Sequence, residues 1–164
     1  MQRYLIPMAA LALFLTAMPA HAAGVTPPAT KWQSSLTEPS PISGSDFHIT
    51  KASSAQISVA SGNVTVKLKL AGVTNGGLPV TQTGNVLQVD LRYGGLPHTV
   101  SFTFDLAGGK TDATQTKFSI ANSALPGGGV VADDSIVVST VRCVQGGAGP
   151  GAGLSFCSPG LTAK

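Results

Sequence analysis

From Phe47 onward the chain alternates apolar and polar residues with a period of two. Val64, Val66, Leu68 and Leu70 alternate with Thr65, Lys67 and Lys69. Leu87, Val89 and Leu91 alternate with Gln88, Asp90 and Arg92, and Val100, Phe102, Phe104 and Leu106 alternate with Ser101, Thr103 and Asp105. Successive side chains of a strand point to opposite faces, so each run predicts a strand with one buried and one wet face. Shorter runs at Phe47–Ile49, Ile57–Val59 and Phe118–Ile120 extend the pattern, and Ile136–Val144 is apolar at both parities until Arg142. Between them lie turn formers: Ser61-Gly62-Asn63, Asn75-Gly76-Gly77, Gly84-Asn85, Gly94-Gly95, Gly108-Gly109 and Gly127-Gly128-Gly129. No window of a dozen residues carries a 3.6-residue period. The pattern predicts an all-β chain, a single antiparallel β-sandwich of about seven to eight short strands, with which an immunoglobulin-like architecture is compatible.

The first 45 residues read differently. Arg3 precedes an apolar run from Leu5 to Met18, followed by Pro19 and the small-residue signature Ala20-His21-Ala22. These are the three parts of a signal peptide, with cleavage expected between Ala22 and Ala23. The apolar run is too short, and too broken by Pro7 and Pro19, for a membrane span. Residues 23–45 contain Pro27, Pro28, Pro39 and Pro41 and read as an extended Pro/Ser-rich arm, pinned to the domain by Trp32. Residues 46–164 form the expected sandwich domain. Gly-Gly-Leu-Pro occurs at Gly76–Pro79 and again at Gly94–Pro97, which reads as recurring turn chemistry rather than a structural repeat.

Removing 22 residues from 164 leaves 142, enough for one core. The formal charge of +3 includes Arg3, and the other basic residues are scattered along the chain. A nucleic-acid partner is therefore not expected, because it calls for cations gathered on a face or stripe. The two cysteines, Cys143 and Cys157, admit one pairing, and an exported chain meets an oxidising compartment. The bond would close a glycine-rich loop of about 15 residues, worth on the order of 3 kcal/mol.

Candidate chemistry is sparse. His48 alternates outward beside Thr50, His98 follows Pro97 at a turn, and neither sits in a hydrolase motif. The carboxylates are Glu38, Asp46, Asp90, Asp105, Asp112, Asp133 and Asp134; Asp90 and Asp105 share an outward parity that could make them neighbours. Asp133-Asp134 is the one adjacent pair, readable as turn chemistry or as part of a calcium site, although no D-x-D-x-D-G pattern accompanies it. Gly127-Gly128-Gly129 lacks the lysine of a phosphate loop, and Asn63-Val64-Thr65 matches a glycosylation sequon.

The expectation is an exported, periplasmic or secreted, non-enzymatic module that binds a protein or glycan or serves as a structural part of the envelope. It needs no catalytic residue, cofactor or metal and has no membrane span after cleavage. The alternative is a small secreted hydrolase using His48 or His98.

Overall fold

The computed structural model describes residues 29–38, 46–75, 78–79, 82–106, 113–148 and 151–164. The expected signal peptide and its Ala22–Ala23 cleavage point lie outside them, as does Asp112. Among the described residues eleven strands follow in order: β1 (Lys31–Thr37), β2 (Phe47–Ile49), β3 (Ser53–Ala60), β4 (Asn63–Ala71), β5 (Val73–Asn75), β6 (Leu78–Pro79), β7 (Asn85–Tyr93), β8 (Leu96–Phe104), β9 (Ala113–Ala121), β10 (Val137–Val144) and β11 (Ser155–Ala163). The fold is an all-β arrangement of antiparallel sheets packed against each other, consistent with a β-sandwich.

Eight strands are hydrogen-bonded in the order β8-β7-β10-β11-β1-β3-β4-β9. Strand β11 belongs to both layers. Cys157 and Ser155 pair with β10, whereas Ser158 to Ala163 pair with β1. One layer is thus β8-β7-β10 with the start of β11, and the other is the end of β11 with β1, β3, β4 and β9. The core between them holds Ile57, Val59, Val64, Val66 and Leu68 from one layer and Leu87, Val89, Leu91, Val141 and Cys143 from the other. The edges of the order, β8 and β9, meet where the rings of Phe102 and Phe118 stack. A second sheet, β2-β5-β6, covers the start of β11, with Phe47 edge-on to Phe156 at 5.0 Å.

Within the stretch read as an arm, Lys31–Thr37 is an interior strand, hydrogen-bonded to β3 on one side and β11 on the other. Trp32, Ser34 and Leu36 are buried, so Trp32 is part of the core rather than a pin on its surface. Prolines on both sides hid this short alternation. The C-terminal segment, which carries only weak alternation and Pro159, is recruited as β11 by its neighbours on both layers. The doubly apolar run of β10 has a local explanation. Its pairing with β7 passes from Val138↔Leu91 to Thr140↔Asp90, leaving Ser139 as an extra residue. That bulge switches the inward parity from Ile136 and Val138 to Val141 and Cys143.

Two glycines are required by their surroundings. Gly72, where the chain leaves β4 for β5, has φ +62°, and a Cβ there would lie 2.5 Å from Thr50 Oγ1. Gly146 sits against Gly84, whose carbonyl oxygen an added Cβ would overlap.

The disulfide joins Cys143 to Cys157, which are register partners across β10 and β11 with Cα atoms 5.0 Å apart. The loop that it closes is held by more than the bond. Gln145 N–H donates to Leu154 O and Gly153 N–H to Gln145 O, both at 2.8 Å. Gly146 N–H donates to Asn85 Oδ1 at 2.9 Å, and Gln82 Nε2 donates to Gly146 O. A segment whose glycine content suggests a floppy loop is thereby tied to the start of β7.

Candidate binding face

The outer face of β11-β1-β3-β4-β9 is laid out by register. Lys164, whose N–H donates to Lys31 O, continues past β11 beside Lys31, and Lys31 faces Ser58, which faces Thr65 and then Ser119. The next row runs Thr162, Gln33, Gln56, Lys67 and Lys117. The third runs Gly160, Ser35, Ser54, Lys69 and Gln115. Lys31, Lys67, Lys69, Lys117 and Lys164 are all exposed, and no Asp or Glu side chain belongs to these three rows. Two adjoining depressions of about 380 and 360 Å³ lie on this face and share Gln56 and Lys67.

Lysines scattered along the chain are thus collected on one layer, and the expectation that no basic cluster exists is corrected. Lys67 and Lys69 already stood on the outward parity of β4. What sequence reasoning missed was that β1 and β9, carrying Lys31 and Lys117, flank the β3–β4 hairpin. Register between distant segments is invisible in local alternation.

None of the residues singled out for chemistry stands on these three rows, although Glu38 lines a depression that reaches Ser35 in the third. His48 is exposed as expected, with Nδ1 2.9 Å from Glu38 Oε1, and the same oxygen accepts from Ile49 N–H at 3.0 Å. A carboxylate orienting a histidine is two-thirds of a hydrolytic triad. Two of the neighbouring hydroxyls are otherwise engaged: Thr50 Oγ1 donates to Gly72 O at 2.7 Å and Ser53 Oγ to Lys51 O at 3.2 Å. They line, with Glu38, a depression of about 550 Å³.

His98 stacks on Tyr93 with ring centroids 4.0 Å apart, and Tyr93 Oη donates to Pro126 O at 2.6 Å. Burial pushes the Tyr93 hydroxyl above its ordinary pKa. Beside this pair lies an open depression of about 430 Å³ whose rim carries Leu96, 61% exposed, and Val130, 86% exposed. Ser135 lines it too, but its hydroxyl donates to Ala132 O at 2.8 Å. Among the described residues His98 makes no side-chain hydrogen bond to a carboxylate or hydroxyl.

Asp90 and Asp105 are not neighbours. Asp90 is opposite Thr99 in mid-hairpin, accepting from Thr99 Oγ1 at 2.6 Å with Arg142 Nη1 3.7 Å away. Asp105 lies past the far end of β8, accepting from Gly84 N–H at 2.9 Å. Shared parity on one strand pair sets the face and says nothing of distance along it.

Asp133 is structurally occupied. Both its oxygens accept from Gly62 N–H at 3.2 Å, and Oδ1 accepts from Asn122 Nδ2 at 2.6 Å. It therefore latches the β3–β4 turn to the β9–β10 connection, while Asp134 is exposed. Among the described residues no three His, Cys, Asp or Glu side chains gather as a metal site would require. No helix of the described residues is long and apolar enough to cross a membrane. No protein-family model, curated protein or solved structure matches this chain.

Proposed function

We propose that this protein is an exported, non-enzymatic binding module that meets its partner through the outer face of β11-β1-β3-β4-β9. The single observation carrying this reading is the collection of five lysines on that face without an acidic side chain among its rows. A positively charged sheet surface suits the capture of an anionic partner, which a steering field brings to it. Export is supported by the leader-like Arg3–Ala22 segment and by the disulfide, a bond that persists in oxidising compartments. Periplasm and extracellular space are both compatible with it.

A second reading is favoured by one specific feature, the Glu38–His48 pair, which would serve a small hydrolase if a substrate or water supplied the missing nucleophile. The two readings are separated by assaying protein from the exported fraction against ester, peptide and glycoside panels, alongside His48→Ala plus His98→Ala. The module reading expects no turnover. Turnover by the wild type that the double variant loses would replace it with the hydrolase.

A further inference from the structure

We infer that the lysine face binds an extended acidic polysaccharide, one bearing carboxylate or sulfate groups along its length. This names the partner of the binding module proposed above and rests on that reading. Two lysines of this face stand in an arrangement that folding alone does not favour. Lys67 and Lys117 are direct cross-strand partners. Like charges in that relation, with Cβ atoms about 5 Å apart, destabilise a sheet. Lys69 follows two residues along the same outward parity, roughly 7 Å away, so it adds to the repulsion rather than relieving it. No Asp or Glu stands on the rows to compensate, which leaves a bound polyanion as the natural counter-charge.

The distribution of charge argues for a polymer. Lys31 lies on β1 and Lys117 on β9, three strand spacings apart in the order β1-β3-β4-β9, or about 14 Å. A small anion could touch one end of that span. A chain carrying charges at intervals could touch all of it, lying in the two joined depressions that meet at Gln56 and Lys67.

The rest of the face selects among polymers. Between the lysines stand Gln33, Gln56, Gln115 and Thr65, whose amides and hydroxyl can both donate to and accept from sugar hydroxyls. The three rows present no aromatic ring: Trp32 is buried and Phe118 packs inward against Phe102. Single-stranded nucleic acid binding draws on aromatic stacking platforms, which are missing from these rows. They also carry no arginine for bidentate phosphate recognition and no large apolar side chain to enter a lipid surface.

The test measures binding by the protein from the exported fraction to heparin (sulfated), polygalacturonate (carboxylated), neutral dextran, an oligothymidylate and vesicles rich in phosphatidylglycerol. The expected result is binding to one or both acidic polysaccharides, weakened by salt and absent with dextran; the two arms separate sulfate from carboxylate recognition. Lys67→Gln with Lys117→Gln should weaken that binding by about tenfold or more. The same pair should leave the melting temperature unchanged or raised, because a repulsion is removed. Arg92→Gln, on the other layer, should bind as the wild type does. Binding to neither polysaccharide, indifference to the lysine pair, or tighter binding of the oligothymidylate or the vesicles would each overturn the assignment. Cleavage of a bound polysaccharide that depends on His48 or His98 would instead overturn the module reading while the assignment of the face stands.

Discussion

The rings of Phe102 on β8 and Phe118 on β9 stack with centroids 4.9 Å apart and planes 20° from parallel. They join the two edges of the eight-stranded order, each edge strand being paired on one side only among the described residues. Both rings are half-buried, whereas Phe104, two residues on, is buried. Phe118→Ala is expected to cost about 2 kcal/mol, less than the roughly 3 to 5 kcal/mol of Phe104→Ala. A double-mutant cycle on Phe102 and Phe118, read by denaturant unfolding, should return a coupling of about 0.5 to 1.5 kcal/mol. Additive losses would mean that the edges are not held together by this stack.

Asp133 and Asp134, adjacent in sequence, should behave oppositely. Asp133→Ala removes the acceptor for Gly62 N–H and Asn122 Nδ2, and is expected to cost about 1 to 3 kcal/mol. Asp134→Ala should stay within about 0.5 kcal/mol of wild type, as exposed substitutions do. Thermal melting of the two variants with and without added calcium checks the assignment. A calcium-dependent rise in the wild type that both variants lose would make the pair a metal site.

Cys143→Ser with Cys157→Ser is expected to lower stability by about 2 to 4 kcal/mol without abolishing folding. The Gln145, Asn85 and Gln82 hydrogen bonds and the strands on either side do not involve the sulfurs and are expected to hold the loop in the variant. Mass spectrometry of non-reduced peptides verifies the bond, and urea denaturation of the variant gives the loss. A variant that fails to fold would show that the polar ties cannot hold the loop unaided.

The hydroxyl of Ser34 is fully buried on an interior strand and has no hydrogen-bond partner among the described residues. Burying a polar group without a partner is unfavourable, so Ser34→Ala is expected to leave stability unchanged or to raise it by up to about 1 kcal/mol. A measured loss above about 1 kcal/mol would reveal a bond that the hydroxyl makes in solution.

Tyr93 gives a sign for the alkaline limb. Burial disfavours its ionised form, so the folded-state pKa lies above that of the unfolded chain, which is about 10. Below that value both states keep the proton and the stabilisation is intact. As pH rises past it the unfolded chain ionises first, and stability falls until the folded group also gives up its proton. Tyr93→Phe should lose the bond to Pro126 O yet flatten this limb, read as denaturation midpoints between about pH 8 and pH 11. An unchanged slope would place the alkaline loss elsewhere.

Local alternation was enough to predict β4, β7 and β8 and which of their side chains face inward. An apolar residue at every second position has no other way to leave water in an extended chain. The pairing of Cys143 with Cys157 was equally legible, since two cysteines permit one bond. Tertiary structure decided whatever depends on which strand lies beside which. β1 and β11 carry weak patterns and became interior strands because neighbours on both sides satisfied their backbone groups. The bulge at Ser139 turned a run apolar at both parities into one with a single inward face. Asp133 found Gly62, 71 positions away in sequence, and became a latch. Lys31, Lys67 and Lys117 came onto one face only through the register of β1, β3, β4 and β9. Parity along a strand is a local property that sterics impose on each residue, whereas adjacency between strands is settled by the joint burial of the whole core.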